Sequence, residues 1–201
     1  MMHGLRCISK SKISLATFHN ICYVRGKPLR GDIIMHIRHA EINELDRIME
    51  IYAYARGFMA QNGNPKQWGA TNWPPRNMIE QDIKDKTCHV CCEGDEILGV
   101  FYYNYGKNID PGYNYIVDGA WKDNSPYGVV HRIASSGRVK GVGKYCIQWA
   151  VDKSEGHLRM DTHGDNHIMQ KLLTGLGFVH CGTIYVVEDN DPRLAYEKYV
   201  D

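Results

Sequence analysis

The residues best placed to do chemistry lie between Arg138 and Lys144. Arg138, Lys140 and Lys144 bring positive charge there, and Gly141 and Gly143 bring a compact backbone. A short apolar run, Val129 to Ile133, leads into this turn. A helical stripe of Cys146, Ile147, Ala150 and Val151 follows it. The first-turn N–H groups of a helix have no intrahelical partners, and the macrodipole is positive at that end. A phosphate placed there answers both, and glycine lets the backbone come close to it. Strand, turn and helix together therefore predict an anion cradle for a phosphorylated cofactor.

Spacing narrows the choice. A lysine P-loop needs Ser or Thr after its Gly-Lys pair, and Gly143-Lys144 is followed by Tyr145. A dinucleotide fingerprint needs three glycines and a downstream acid, and only two glycines fall in register here. Cys88-His89-Val90-Cys91-Cys92 has the look of a metal knuckle. It lacks a second ligand pair at suitable spacing, since Cys146 and Cys181 stand alone, so strand alternation accounts for it and no metal is expected.

The elements around the turn follow from periodicity. Leu158 to His163 reads as a strand. Asn166 then starts a helix with Ile168, Met169, Leu172, Leu173 and Leu176 at helical spacing, and Gly177-Phe178 closes it. Val179 to Val186 reads as another strand. Upstream, Met35 to Ala40 predicts an opening strand. Asn43 is placed to cap a helix in which Leu45, Ile48, Met49, Tyr52, Ala55 and Met59 share a face. Gln61 to Pro75 breaks the pattern and reads as loop. Met78 to Lys86 is a short helix, and Cys88–Glu93 and Ile97–Tyr105 are strands joined at Gly94-Asp95.

Arg138-x-x-Gly141-x-Gly143, set in this order of strand, loop, helix, strand, Asn-started helix, Gly-Phe and strand, resembles the GNAT superfamily of acetyl-CoA-dependent N-acetyltransferases. The resemblance runs from about Met35 to Tyr199. It implies an α/β (α+β) acyl-CoA N-acyltransferase fold, with a mixed central sheet of six to seven strands flanked by helices. It implies acetyl-CoA as co-substrate, held by Ile133, Ala134, Arg138, Val139, Lys140, Gly141, Val142, Gly143, Lys144 and Asn166. The acceptor would be a primary amine of a small molecule or peptide, attacking the thioester directly.

Such transfer needs the amine deprotonated and the developing oxyanion held. Many members place a Tyr four residues before the Gly of the Gly-Phe pair to protonate the leaving sulfur; here Leu173 stands in its place. The common Glu base has no clear counterpart. His131 and His163 are the candidate substitutes. Alternation along the strand puts His131 on one face with Ile133, and Asp161 on one face with His163. Either histidine is equally readable as a hydrogen-bonded strand residue. Aromatics gather on the acceptor side, where Trp68 and Trp73 are candidates for a substrate lid. A non-catalytic acyl-CoA-binding or sensing domain is the alternative, motivated by Leu173.

Composition sets the frame. A chain of 201 residues suits one sizeable core. No apolar run approaches the roughly 18–20 residues that cross a bilayer, so no membrane contact is expected. Seven scattered cysteines fit a reducing compartment, and a cytoplasmic location is expected. Residues 1–34 carry six basic side chains and one acid, although the formal net charge is only +1. This stretch reads as an extension ahead of a domain at 35–201. Nucleic-acid contact through it is the lesser expectation, and a homodimer is left open.

Overall fold

The computed structural model describes residues 23–24, 27–28, 34–69, 71–186 and 190–200. The chain divides into two compact units, 1–33 and 34–201. In the first, Tyr23–Val24 (β1) and Lys27–Pro28 (β2) pair antiparallel. The charged role considered for this basic segment otherwise falls outside the described residues.

The second unit is a mixed seven-stranded sheet in the order β3-β4-β5-β6-β7-β9-β8. Its strands are Met35–His39 (β3), Cys88–Glu93 (β4), Glu96–Gly106 (β5), Tyr127–Ser135 (β6), His157–His163 (β7), Val179–Tyr185 (β8) and Pro192–Tyr199 (β9). Its helices are Leu45–Gln61 (α1), Lys66–Gly69 (α2), Arg76–Lys84 (α3), Val142–Lys153 (α4) and His167–Gly175 (α5). The expected class and strand number hold, and β9 joins the strands anticipated from periodicity.

Alternation divides the core. Cys88, Val90 and Cys92 of β4 pack with Ile48 and Tyr52 of α1 and Ile79 of α3. Cys91 turns to the other face, where it packs with Ile147 of α4 and Leu173 of α5. A third cluster, Tyr113, Tyr127, Val129, Ile184 and Ala195, lies under the long β5–β6 connection.

Two local departures matter for function. The expected cap, Asn43, lies inside a 3-10 turn, Ile42–Glu44; Glu41 and Glu44 form the capping box instead. The stretch read as loop from Gln61 to Pro75 holds α2, whose Trp68 is drawn into the core. A four-residue helix is too short for periodicity to reveal.

All sheet neighbours run antiparallel except β6 and β7. These parallel strands pair only at Gly128–Leu158 and Val129–Arg159. Beyond that point their pairing stops, although both strands continue. The sheet therefore opens a cleft between the C-terminal halves of β6 and β7.

β6 also bulges. Tyr102 pairs with His131 and Val100 with Ala134, so two residues of β6 are spanned by one of β5, and Arg132 takes φ 51°. The bulge changes which side chains share a face. His131 lies with Ala134, on the α1 and α3 side, rather than with Ile133, which packs toward α4. Simple alternation fails here for that reason. The Tyr52 hydroxyl of α1 donates to the Arg132 carbonyl at 2.9 Å, giving the irregular backbone a partner.

Candidate active site

A cavity of about 530 Å³ occupies the mouth of the cleft. Its walls come from α1 and α2, the end of β6, the following turn and the start of α5. Ile133, Ala134, Val139, Lys140, Gly141, Val142, Gly143 and Asn166 all line it. Gly141 is the N-cap of α4 with φ 87°, a left-handed conformation suited to glycine. The point where a side chain would begin at Gly141 has no atom within 4 Å. The first turn of α4 thus presents its backbone to open space beside Lys140, the arrangement an anion requires. The residues present fit a phosphate-bearing co-substrate.

The loop is seated from beneath. Val142, buried at 2 % exposure, lies against Gly99 of β5, where an added Cβ would come within 2.6 Å of Val142 Cγ1. Two charges assigned to the cradle are placed elsewhere. Arg138 pairs with Glu96 and does not line the cavity; Lys144 is exposed and does not line it either. Alternate positions in a tight basic turn face different ways, so charge in the sequence overcounts charge in the site.

Asn166 sits on the opposite wall. Its Oδ1 accepts from Met169 N at 3.1 Å, capping α5, and its Nδ2 donates to Gln67 Oε1 at 3.1 Å. That second bond ties the α2 segment to α5 across the cleft. Trp68 lines the cavity but is only 9 % exposed, edge-on to Tyr52 at 5.9 Å between ring centroids. It is a wall rather than a lid. Trp73 packs against the α1 core and its carbonyl accepts from Arg56; it does not line the cavity.

The two candidate histidines part company. His163 Nδ1 accepts from the Asp165 backbone N–H at 3.0 Å, and Nε2 lies 3.6 Å from Asp191 Oδ2. A backbone donor occupies the lone pair that a base would use. His163 shapes the β7–α5 turn. Asp161 does not serve it, and instead lies 3.5 Å, Oδ1 to Nδ1, from His131.

His131 is the centre of a polar cluster. Its Nε2 is 2.6 Å from Asp110 Oδ2, and the Tyr113 hydroxyl donates to Asp161 Oδ1 at 2.8 Å. Burial pushes the Asp110 carboxyl up, but its bond to His131, that residue's charge and the Gly112 and Tyr113 N–H groups outweigh it and hold it below the usual range. Asp110 lies outside the candidate residues of the sequence, and Tyr113 falls among its acceptor-side aromatics. The available signal was Asp110-Pro111-Gly112, a turn in which Asp accepts from the N–H two residues on.

Both come from the β5–β6 connection, which is anchored by charge. Glu197 accepts from Arg159 Nε at 2.8 Å and from the Lys122 backbone N–H at 2.7 Å, and lies 2.8 Å from His157 Nε2. Arg159 also donates to the Asp123 carbonyl at 2.6 Å and stacks between Trp121 and Tyr127. Trp121 and Tyr127 on the acceptor side therefore hold the protein's own arginine, and Arg132 likewise covers Tyr102. Among the described residues no helix is long and apolar enough to cross a membrane.

No family model matches the chain, and no curated protein does. Solved structures do. An acetyltransferase of the GNAT family from Streptococcus agalactiae is 34 % identical, with a TM-score of 0.74, over 83 % of this chain and 96 % of that one. A GNAT-family acetyltransferase from Listeria monocytogenes shares the fold at 18 % identity and TM-score 0.61, over 83 % and 95 %. So does yncA from Salmonella typhimurium, solved with its cofactor acetyl-CoA, at 14 % identity and TM-score 0.53, over 83 % and 94 %. The chain belongs to the GNAT family of acetyltransferases. Enzymes of this family use acetyl-CoA as co-substrate and act on amine acceptors.

Proposed function

We propose that the chain transfers the acetyl group of acetyl-CoA to a primary amine of a small molecule or peptide, with His131 as the base. The observation that carries this reading is the glycine turn at the N-terminus of α4, opening onto the cavity walled by the end of β6 and the start of α5. In this reading the backbone of Val139 to Gly143 holds the pyrophosphate, with Lys140 adding charge. Ile133 and Ala134 line the path of the pantetheine arm. His131 removes a proton from the acceptor ammonium, and the neutral amine attacks the thioester carbonyl. The carbonyl then reforms as the thiolate leaves, and the second N–H proton of the attacking nitrogen passes to the sulfur, directly or through water, giving the amide and the CoA thiol.

A single experiment tests it. Thermal unfolding is followed with acetyl-CoA, CoA, NAD or ATP, then thiol release is read with n-butylamine, putrescine, phenethylamine and a lysine peptide. A ligand at 100 times its dissociation constant adds about 2.7 kcal/mol of stability. Selective stabilisation by acetyl-CoA and CoA, with amine-dependent thiol release, is expected; stabilisation by NAD or ATP alone would reject the reading. A non-catalytic acyl-CoA sensor is favoured by one fact, that Leu173 at the family's acid position is fully buried. Binding without thiol release from any amine of the panel would support it.

A further inference from the structure

His131 has a carboxylate beside each ring nitrogen, Asp110 at Nε2 and Asp161 at Nδ1, at 2.6 Å and 3.5 Å. A neutral imidazole has one proton for two nitrogens, so the partner of one nitrogen decides the state of the other. Asp110 is the closer partner and is itself held. Its Oδ1 accepts from the Gly112 N–H at 2.8 Å, which leaves Oδ2 for the ring. An ionised carboxylate only accepts, so the nitrogen bonded to it bears the hydrogen. That places the proton on Nε2 and the lone pair on Nδ1.

We infer that Asp110 is a positioning residue that fixes the tautomer of His131, leaving Nδ1 as the nitrogen that takes the proton from the acceptor ammonium. The inference rests on the reading of His131 as the base. In the step, an N–H bond of the ammonium breaks and its electron pair stays on the amine nitrogen. The proton forms an Nδ1–H bond, and the ring becomes an imidazolium. Asp161, 3.5 Å away and steadied by the Tyr113 hydroxyl, stabilises that charge. Asp110 does not itself accept the proton; the imidazolium gives it to solvent after the transfer, which restores the base.

The geometry makes the Asp110→Asn variant unusually informative. The Gly112 N–H still demands an oxygen, so the new amide keeps Oδ1 there and turns its NH₂ toward His131. Nε2 must then accept, the ring proton moves to Nδ1, and the base nitrogen is lost. The full chain labelled with ¹⁵N-histidine is examined by NMR at a pH where His131 is neutral, with His131→Gln assigning the resonance. The expected result is an Nε2–H ring in the wild type and an Nδ1–H ring in Asp110→Asn. Turnover with the fastest amine of the panel should fall about 10²–10⁴-fold, as for loss of a positioned base. The dissociation constant for acetyl-CoA should not change, and Asp110→Glu should recover part of the rate.

A wild-type ring protonated on Nδ1, or an Asp110→Asn protein that keeps its Nε2–H tautomer and its rate, overturns the role of Asp110. Undiminished turnover in His131→Gln overturns the prior reading of the base instead, and with it this inference. A fall in melting temperature with no tautomer change marks Asp110 as a structural cap of the turn and likewise overturns it.

Discussion

At the α4 end of the cleft, what the turn offers the cavity lies between Gly137 and Gly143, three of its lining residues being glycines. Around His131, which does not line the cavity, the polar groups are side chains drawn from three separate segments: Asp110 and Tyr113, His131, and Asp161. The first end is encoded locally: a glycine, a left-handed φ and a helix start suffice. The second exists only once the sheet has formed and the β5–β6 connection has folded back over it. In the proposed reading, binding and chemistry therefore have different sensitivities. One tolerates side-chain change but not backbone change, and the other does the reverse.

The sharpest challenge to that division is Gly141→Asp. It sets a carboxylate at the cradle and strains a φ of 87°, so stabilisation by acetyl-CoA in a thermal melt should vanish. Retained stabilisation would move the anion site elsewhere.

Gly99→Val tests whether the cradle depends on its seat. The new side chain would meet Val142 at 2.6 Å and the Ala134 carbonyl at 3.0 Å. Overpacking of this kind costs about 1–3 kcal/mol. Both the melting temperature and the affinity for acetyl-CoA should fall, although Gly99 does not line the cavity. Stability loss with unaltered affinity would separate the two.

A third variant contrasts two histidines. His89, packed among Phe101, Trp149 and His39, is pushed down to about 4 by burial, against the pull of its bond to the Thr87 carbonyl. An unfolded histidine titrates near 6.5, so the unfolded chain takes up the proton first as pH falls. The stability His89 preserves is complete above about 6.5 and is lost progressively as pH falls toward about 4. Urea midpoints of His89→Phe across that window should show a shallower decline, with thiol release at neutral pH unaffected. An unchanged slope would assign the acid sensitivity to other groups.

The smallest effect belongs to Arg138→Ala. Exposed ion pairs such as Arg138–Glu96 are worth about 0–1 kcal/mol, so the melting temperature should hardly move. Calorimetry should find acetyl-CoA affinity nearly unchanged. A large loss of affinity would mean that the side chain leaves Glu96 to meet the co-substrate, and that the loop end is not made of backbone alone.

The same division governs what the sequence discloses. The helix after Gly141, the Asn166 cap and the burial of Leu173 follow from spacing and periodicity within short windows. The bulge at Arg132 does not, because it is a mismatch of register between β5 and β6 that only pairing defines. It misdirects the face of His131, and simple alternation joins Asp161 to His163 when the structure joins it to His131. The Asp110 turn is locally visible as Asp-Pro-Gly, yet its destination depends on where the connection lands. Trp68 illustrates a third limit. Flanking polar residues suggest a substrate lid, and a four-residue helix with a cross-cleft bond at Gln67 makes it part of the wall instead.

The buried carboxylate of Glu197 bears on how this enzyme can diverge. It grips the Lys122 backbone, and through Arg159 the Asp123 carbonyl, so the connection that carries Asp110 is tethered from β9, a strand that adds no residue to the His131 cluster. The exposed tip of that connection, around Tyr115, can then change in sequence while the tether keeps the Asp110 carboxylate in register. Losing Glu197 would leave Arg159 and His157 buried without their carboxylate, so a change remote from His131 would show first as lost stability.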